Sequence, residues 1–343
     1  MGLGVVENVC VARIGLVLGA GGVVGEAFHA GVLAALCEVT GFDARTAHYL
    51  VGTSAGSVVA ASLRAGVSAG DLYARATGRP LSPEGRALFE APRATVPSPA
   101  PSGGELGGVG PARIGPASPE LLGRLVARPQ ALRPALAAAA LLPEGRRDAA
   151  SWFRGFDSWF SSWPSDERSE LWICAVDLGN GERVVFGRSG SPAVAVSQAV
   201  QASCAIPAVF QPVRIAGRRY VDGGVHSPTN ADLCAGEPLD AVVVSSPMSA
   251  VRLAGAPAFS ADRLRVAARL PARRVLQREL VALAGAGTPV LAVEPTLEVI
   301  DAMGLQPMDV RRREPVAEAA FQAARRLVDG PAGREIGRVL CRR

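Results

Sequence analysis

The 343-residue sequence predicts an α/β domain with a mostly parallel central sheet, and three observations carry that expectation. Short glycine-bounded apolar runs alternate with segments of helical spacing near the start, as βαβ units require. The length suits one large domain or two, and an apolar share of 49% supplies a large core. No run reaches the roughly 18–20 consecutive apolar residues that a membrane-spanning helix needs.

The first run, RIGLVLG (13–19), is short, apolar and closed by glycine, as a buried strand would be. The segment EAFHAGVLAALCEV (26–39) then sets Phe28, Val32, Ala35 and Leu36 at helical spacing. AHYLVG (47–52) reads as a second strand, and SVVAASLRAG (57–66) as a second helix closed by Gly66. From about 79 to 150 the texture changes. APRATVPSPAPSGGELGGVGPARIGPASP (91–119) is too rich in Pro, Gly, Ala and Ser for a core, so a mobile insert or lid is expected.

Downstream, SWFRGFDSWFSSW (151–163) sets Trp152, Phe156, Trp159 and Trp163 on one helical face. A helix packed on the core is the preferred reading, and a lipid-facing wall the sharper alternative. LWICAVDLGNGERVVF (171–186) reads as two strands about a Gly-Asn-Gly turn. DAVVVSSP (240–247) and PVLAVEP (289–295) are further strand candidates. Residues 261–285 read as a helix with a kink or break at Pro271, and 316–328 as at least one more.

The net charge is +5 and every basic residue is Arg, because the chain contains no Lys. The Arg residues are scattered. Their densest clusters, Arg273–Arg274 and Arg311–Arg313, are short and lack interleaved aromatics, so no nucleic-acid partner is expected. Weak attraction to an anionic membrane surface is compatible with the charge. Six cysteines without a C-x-x-C pair and only three His give no zinc spacing, so no metal is expected. The start lacks a basic n-region, and dispersed reduced thiols then point to the cytoplasm.

Three segments carry chemistry. Gly52-Thr-Ser54-Ala-Gly56, between a strand and a helix, is a nucleophile-elbow arrangement. Its glycines permit a tight turn, and the helix N-terminus behind Ser54 offers free N–H groups. LGAGGVVG (18–25) fails as a dinucleotide loop: Gly19 and Gly21 are followed by Val24 at the third glycine place. It is either a packing loop or a source of N–H donors for an acyl oxyanion. In YVDGGVHSPTN (220–230), Asp222 ends a β-like run, either as an Asp-Gly turn or as a carboxylate projecting from a strand end.

Together these segments resemble the patatin-like phospholipase family. AVQASCAIPAVFQPV (199–213) is similar to that family's Ala-Ser-x-x-x-Pro-x-x-Phe-x-Pro segment, and VDLGNGERVVF (176–186) to its upstream strand pair. The resemblance covers 13–245, interrupted by 79–150. It leaves 246–343 as a mostly helical C-terminal extension with one strand, packed on the same domain. It implies a three-layer α/β/α patatin-type domain acting on a lipid or ester substrate, in the manner of a phospholipase A or lysophospholipase, without a cofactor. Peripheral contact with a membrane is part of that expectation. Ser54 would be the nucleophile, Asp222 its base, and the Gly21 and Gly22 N–H groups the oxyanion donors. Gly19, Gly25, Gly52, Gly56, Gly223 and Gly224 would shape the motifs around them.

The sequence departs from the family pattern in three places. Val24 stands where the family usually carries Arg or Lys, Ala20 where it commonly has glycine, and one extra residue lies between Gly25 and His29. Backbone donors survive these changes, whereas the loop's positive charge does not. Two rival readings follow. One is a non-catalytic lipid-binding or regulatory module. The other is an α/β-hydrolase triad of Ser54, Asp177 and His226, against which stands the position of Ser54 after only about two strands. His29, inside the first helix, is read as a packing or hydrogen-bonding residue.

Overall fold

Hydrophobic alternation is missing from the central strands because both of their faces are covered. β1 (Ile14–Leu18), β2 (Tyr49–Thr53) and β7 (Ala241–Ser245) are buried at every residue. A computed structural model of the chain describes residues 12–90, 115–127, 133–166, 169–251 and 265–341. Its sheet has eight strands, in the order β5-β6-β3-β2-β1-β7-β8, with β4 also paired to β3. Here β3 is Glu170–Asp177, β4 Arg183–Phe186, β5 Val213–Ile215, β6 Arg218–Asp222 and β8 Val290–Val293. Strands β3, β2, β1, β7 and β8 run parallel, whereas β4, β5 and β6 join through antiparallel pairings.

Successive side chains on a strand point to opposite faces, and the two faces meet different helices. Leu16 and Leu18 join one cluster with α1 (Gly22–Thr40), α2 (Ala55–Arg64) and α8 (Val196–Ser203). Val17, Val242 and Val244 join another with Leu276 and Leu283. The result is a three-layer α/β/α domain, as expected. α1 is long and apolar enough to cross a membrane by length and composition. It is buried between the sheet and a helix from the C-terminal part, where Val316, Ala317, Ala320 and Ala324 have no exposure. A Cβ on Gly31 would lie 2.2 Å from the Ala317 carbonyl oxygen, so the two helices cross backbone to backbone.

The described part of 79–150 is helical. Between α3 (Ala69–Ala76) and β3 lie α4 (Pro83–Glu90), α5 (Pro119–Ala127), α6 (Pro134–Leu141) and the single turn α7 (Ala150–Phe153). Leu121, Leu125, Leu136 and Ala139 form an apolar cluster with Val176, Leu178, Val221 and Val225, which seats α5 and α6 on the β3 and β6 ends. Residues 91–114, the richest in Pro and Gly, lie outside the described residues.

One helix expectation is corrected. The aromatic stretch 151–163 is no continuous helix: α7 passes into a 3-10 turn over Arg154–Ser158, with buried Gly155 at the change. Its aromatics still face inward. Trp159 Nε1 donates to the Leu88 carbonyl at 3.1 Å, Trp163 Nε1 to the Leu171 carbonyl at 3.1 Å, and Trp152 meets Phe210 edge to face. Near Pro271 the expected break is present: residues 265–267 are helical, 268–269 form a turn, and α9 (Leu270–Gly285) starts with the proline in its first turn, where no N–H is needed. α10 (Leu297–Met303), α11 (Arg313–Asp329) and α12 (Pro331–Leu340) complete the chain.

Candidate active site

Two strand ends bring the central pair together. β2 stops at Thr53 opposite Cys174, and β6, running the other way, stops at Asp222 opposite Ala175. Adjacent residues of β3 thus fix where Ser54 and Asp222 emerge. Ser54 has φ 51° and ψ −121°, a conformation costly for a residue with a side chain. The surroundings enforce it. A Cβ on Gly56 would lie 1.9 Å from the Leu18 carbonyl oxygen, and one on Gly52 2.5 Å from the Ser57 Cα, so helix and strand close up only on bare glycines. The Ser54 N–H donates to Ser203 Oγ at 2.8 Å, and the Ser54 carbonyl accepts from Ser57 Oγ at 2.6 Å.

The Ser54 hydroxyl and the Asp222 carboxylate open on the same cavity, and the hydroxyl favours the charged form of the carboxylate. The Gly224 N–H donates to the same carboxylate at 2.7 Å. Both residues are buried, at 4% and 6% exposure. Burial raises the Asp222 pKa to about 6, against the lowering effects of the Gly224 N–H and the Ser54 hydroxyl. The result is a carboxylate far more basic than a solvated one, opening on the same cavity as the Ser54 hydroxyl. Cys204, beside Ser57 and Ser54, is held as a thiol by burial and the Asp222 charge.

The glycine loop is drawn into the first turn of α1, which begins at Gly22, four residues before the helical pattern in the sequence. Gly22 has φ 62°, in the left-handed region, and a Cβ there would meet the Pro307 carbonyl at 2.7 Å. That carbonyl accepts the Val24 N–H at 3.1 Å, and Gly21 O accepts the Gly25 N–H, which withdraws both donors from use by a ligand. Among the described residues the Gly21 and Gly22 N–H groups meet no backbone acceptor. His29, fully buried, ties the loop to the sheet through Ser245 Oγ at 2.7 Å and the Gly19 carbonyl at 2.8 Å. Burial lowers its pKa to about 4, so it is neutral near pH 7.

Ser54, Asp222, Gly21 and Gly22 all open on one cavity of about 1820 Å³, bounded opposite by α6, α9 and the 303–309 loop. Leu142, Met248 and Leu305 on its wall are exposed. A second, narrow pocket of about 50 Å³ reaches Ser54 past Val23, Trp152, Phe153 and Phe210.

A family model described as patatin-like phospholipase matches residues 16–235. The chain belongs to that family. The chain is also similar to the crystal structure of VipD from Legionella pneumophila, with 15% identity and a TM-score of 0.42. That likeness covers 93% of this chain and 67% of the other.

Within this patatin-like domain, Ser54, Asp177 and His226 are not joined as a triad. The His226 ring accepts from Arg133 at 2.8 Å, and Asp177 accepts from Arg218 at 2.9 Å and from the Gly179 N–H at 2.8 Å. Burial, Arg183 and Arg133 lower the His226 pKa to about 4. Sequence reasoning assigned no part to Ser203, although the Ala-Ser pair that contains it was the available signal. It also missed Asn230, whose amide bonds Thr53 Oγ1 at 3.0 Å, at the residue preceding Ser54.

Proposed function

We propose that this patatin-like chain is a serine acyl hydrolase that cleaves lipid acyl esters through Ser54 and Asp222. The observation that carries the proposal is a buried carboxylate with a pKa of about 6 that opens on the same cavity as Ser54 and whose charged form the Ser54 hydroxyl favours. Such a carboxylate is ionised near pH 7 yet basic enough to take the serine proton without an intervening imidazole. Asp222 removes the proton as Ser54 Oγ bonds to the ester carbonyl carbon. The carbonyl oxygen gains the negative charge, and the Gly21 and Gly22 N–H groups at the start of α1 are its donors. Collapse breaks the bond to the alcohol, which leaves with the proton held by Asp222. Water then attacks the acyl-enzyme, gives a proton to Asp222, and the carboxylic acid departs as Ser54 regains its hydrogen. The large cavity with exposed Leu142, Met248 and Leu305 suits an acyl lipid presented from a surface.

The test is fluorophosphonate labelling beside p-nitrophenyl ester hydrolysis on wild type, Ser54→Ala, Asp222→Asn and His226→Ala. We expect Ser54→Ala to lose both labelling and turnover, Asp222→Asn to lose turnover by about 100-fold or more, and His226→Ala to keep most of it. Wild type that is folded yet neither labels nor turns over would sink the proposal and favour a lipid-binding module. Equal loss in His226→Ala would favour the triad.

A further inference from the structure

The cavity that holds Ser54 has an unbalanced wall of charge. Five carboxylates face it, and each is already engaged. Asp222 accepts from the Gly224 N–H. Asp232 takes both arms of Arg183 at 2.7 and 2.8 Å. Glu279 accepts from Ser227, Thr229 and the Ala231 N–H. Asp301 pairs with Arg265, and Asp309 with Arg311. Four arginines on the same cavity, Arg133, Arg269, Arg274 and Arg278, have no carboxylate partner among the described residues, and Arg133 bonds the His226 ring instead.

Arg269 is the unusual one of the four. It sits half-buried just ahead of α9 and gives its hydrogen bonds to the Pro247 and Ser249 carbonyls and to Met303 Sδ, none of them charged. Desolvation lowers its pKa, and no acidic group offsets the loss. A partly buried cation without a counter-charge is costly unless a ligand supplies one. Its position relates it to the reacting centre, because the Pro247 ring lies against Gly21, 2.9 Å from where a Cβ would stand. Arg274 and Arg278, one and two turns further along α9, continue the positive wall toward solvent.

We propose that Arg269, extended outward by Arg274 and Arg278, forms a subsite for the phosphate of an anionic acyl lipid whose ester carbonyl is presented to Ser54. The planar guanidinium suits phosphate oxygens, and the low exposure of Arg269 strengthens such a contact. The proposal names a substrate class and rests on the hydrolase reading for the meaning of the site. Its test does not depend on turnover.

Isothermal titration calorimetry on full-length Ser54→Ala protein would compare hexanoyl-glycerophosphate with monohexanoylglycerol, two monomeric ligands that differ by one phosphate. We expect the phosphate ester to bind about tenfold tighter or more. Adding Arg269→Gln should erase that preference and leave the neutral ligand within about twofold, and Arg269→Lys should keep part of it. The exposed pair Arg274→Gln and Arg278→Gln, which cannot unfold the chain by opening a core, should reduce the preference about threefold. Inorganic phosphate should compete only weakly.

Equal binding of both ligands by Ser54→Ala would overturn the proposal. So would an equal loss for both ligands in Arg269→Gln, which would make Arg269 a tie for the 247–249 turn. Inorganic phosphate binding as tightly as the ester would also overturn it, as an anion site unrelated to substrate. Wild type without ester turnover, but with the phosphate preference intact in Ser54→Ala, would fail the hydrolase reading alone.

Discussion

Burial raises the Asp222 pKa from the ordinary 3.8 to about 6, so near pH 7 the folded chain holds a carboxylate that unfolding would relieve. The folded-state pKa is raised, so its contribution to stability is full below pH 3.8 and is lost as pH rises through about 6. Asp222→Asn removes the charge and keeps the shape. At pH 7.5 it should raise stability by about 1–3 kcal/mol in urea unfolding while abolishing turnover. No gain in stability would mean that the carboxylate is better solvated than its burial implies. The same group gives the activity a pH dependence: kcat/KM for a soluble ester should climb to a plateau with an inflection near pH 6. Ser203 acts one bond further out, since its Oγ holds the Ser54 N–H at 2.8 Å. Ser203→Ala leaves that buried donor unpartnered, and should cost about 1–3 kcal/mol and lower kcat more than it raises KM. An unchanged kcat would show that the elbow keeps its shape without this bond.

Among elements, the β2–α2 junction is the tightest, because α2 approaches β1 where Gly56 meets Leu18. Gly56→Ala should cost more than the about 1–3 kcal/mol of ordinary overpacking, since the added carbon meets backbone. Gly70→Ala is the control, with only Ser68 Oγ near at 3.7 Å inside α3. It should be neutral or stabilising by thermal unfolding, as helix propensity favours alanine. A Gly56→Ala protein as stable as Gly70→Ala would contradict the close approach. The strands were legible in the sequence because runs such as 14–18 and 241–244 are apolar throughout and are followed closely by Gly19 or Pro247. The start of α1 was not legible. Gly22–Gly25 is poor in helix propensity and is helical because the Pro307 carbonyl and the neighbouring helices hold it. The stretch 151–163 misled for the opposite reason: its aromatic spacing suits one helical face, but the chain tightens into a 3-10 turn at Gly155. α5 and α6 owe their place to Val176, Leu178, Val221 and Val225, residues distant in the sequence that no local pattern connects to them.

For the whole molecule, the question is whether the region matched by the family, 16–235, can stand by itself. The contacts argue that it cannot. β7 fills the sheet between β1 and β8, and β8 comes from residues 290–293. α9 covers the face that buries Val17, Val51 and Trp172, through Leu276 and Leu283 at no exposure. α11 covers α1 so closely that Gly31 is the only kind of residue that fits the crossing. The cavity shares this dependence, because Pro307 caps the glycine loop and Arg269 holds the carbonyl of Pro247, which packs against Gly21. The candidate dyad was readable from three short segments, whereas this opposite wall was not: its residues are set by where α9 and the 303–309 loop pack. A chain ending at residue 245 would expose the apolar side of α1 and one sheet face. That area far exceeds what a net stability of about 5–15 kcal/mol can absorb. Such a truncated chain should lack a cooperative thermal transition and bind a hydrophobic dye at room temperature. The full chain should unfold in one transition by calorimetry. A truncated protein with a sharp transition and intact fluorophosphonate labelling would show that the C-terminal helices are an accessory rather than part of the core.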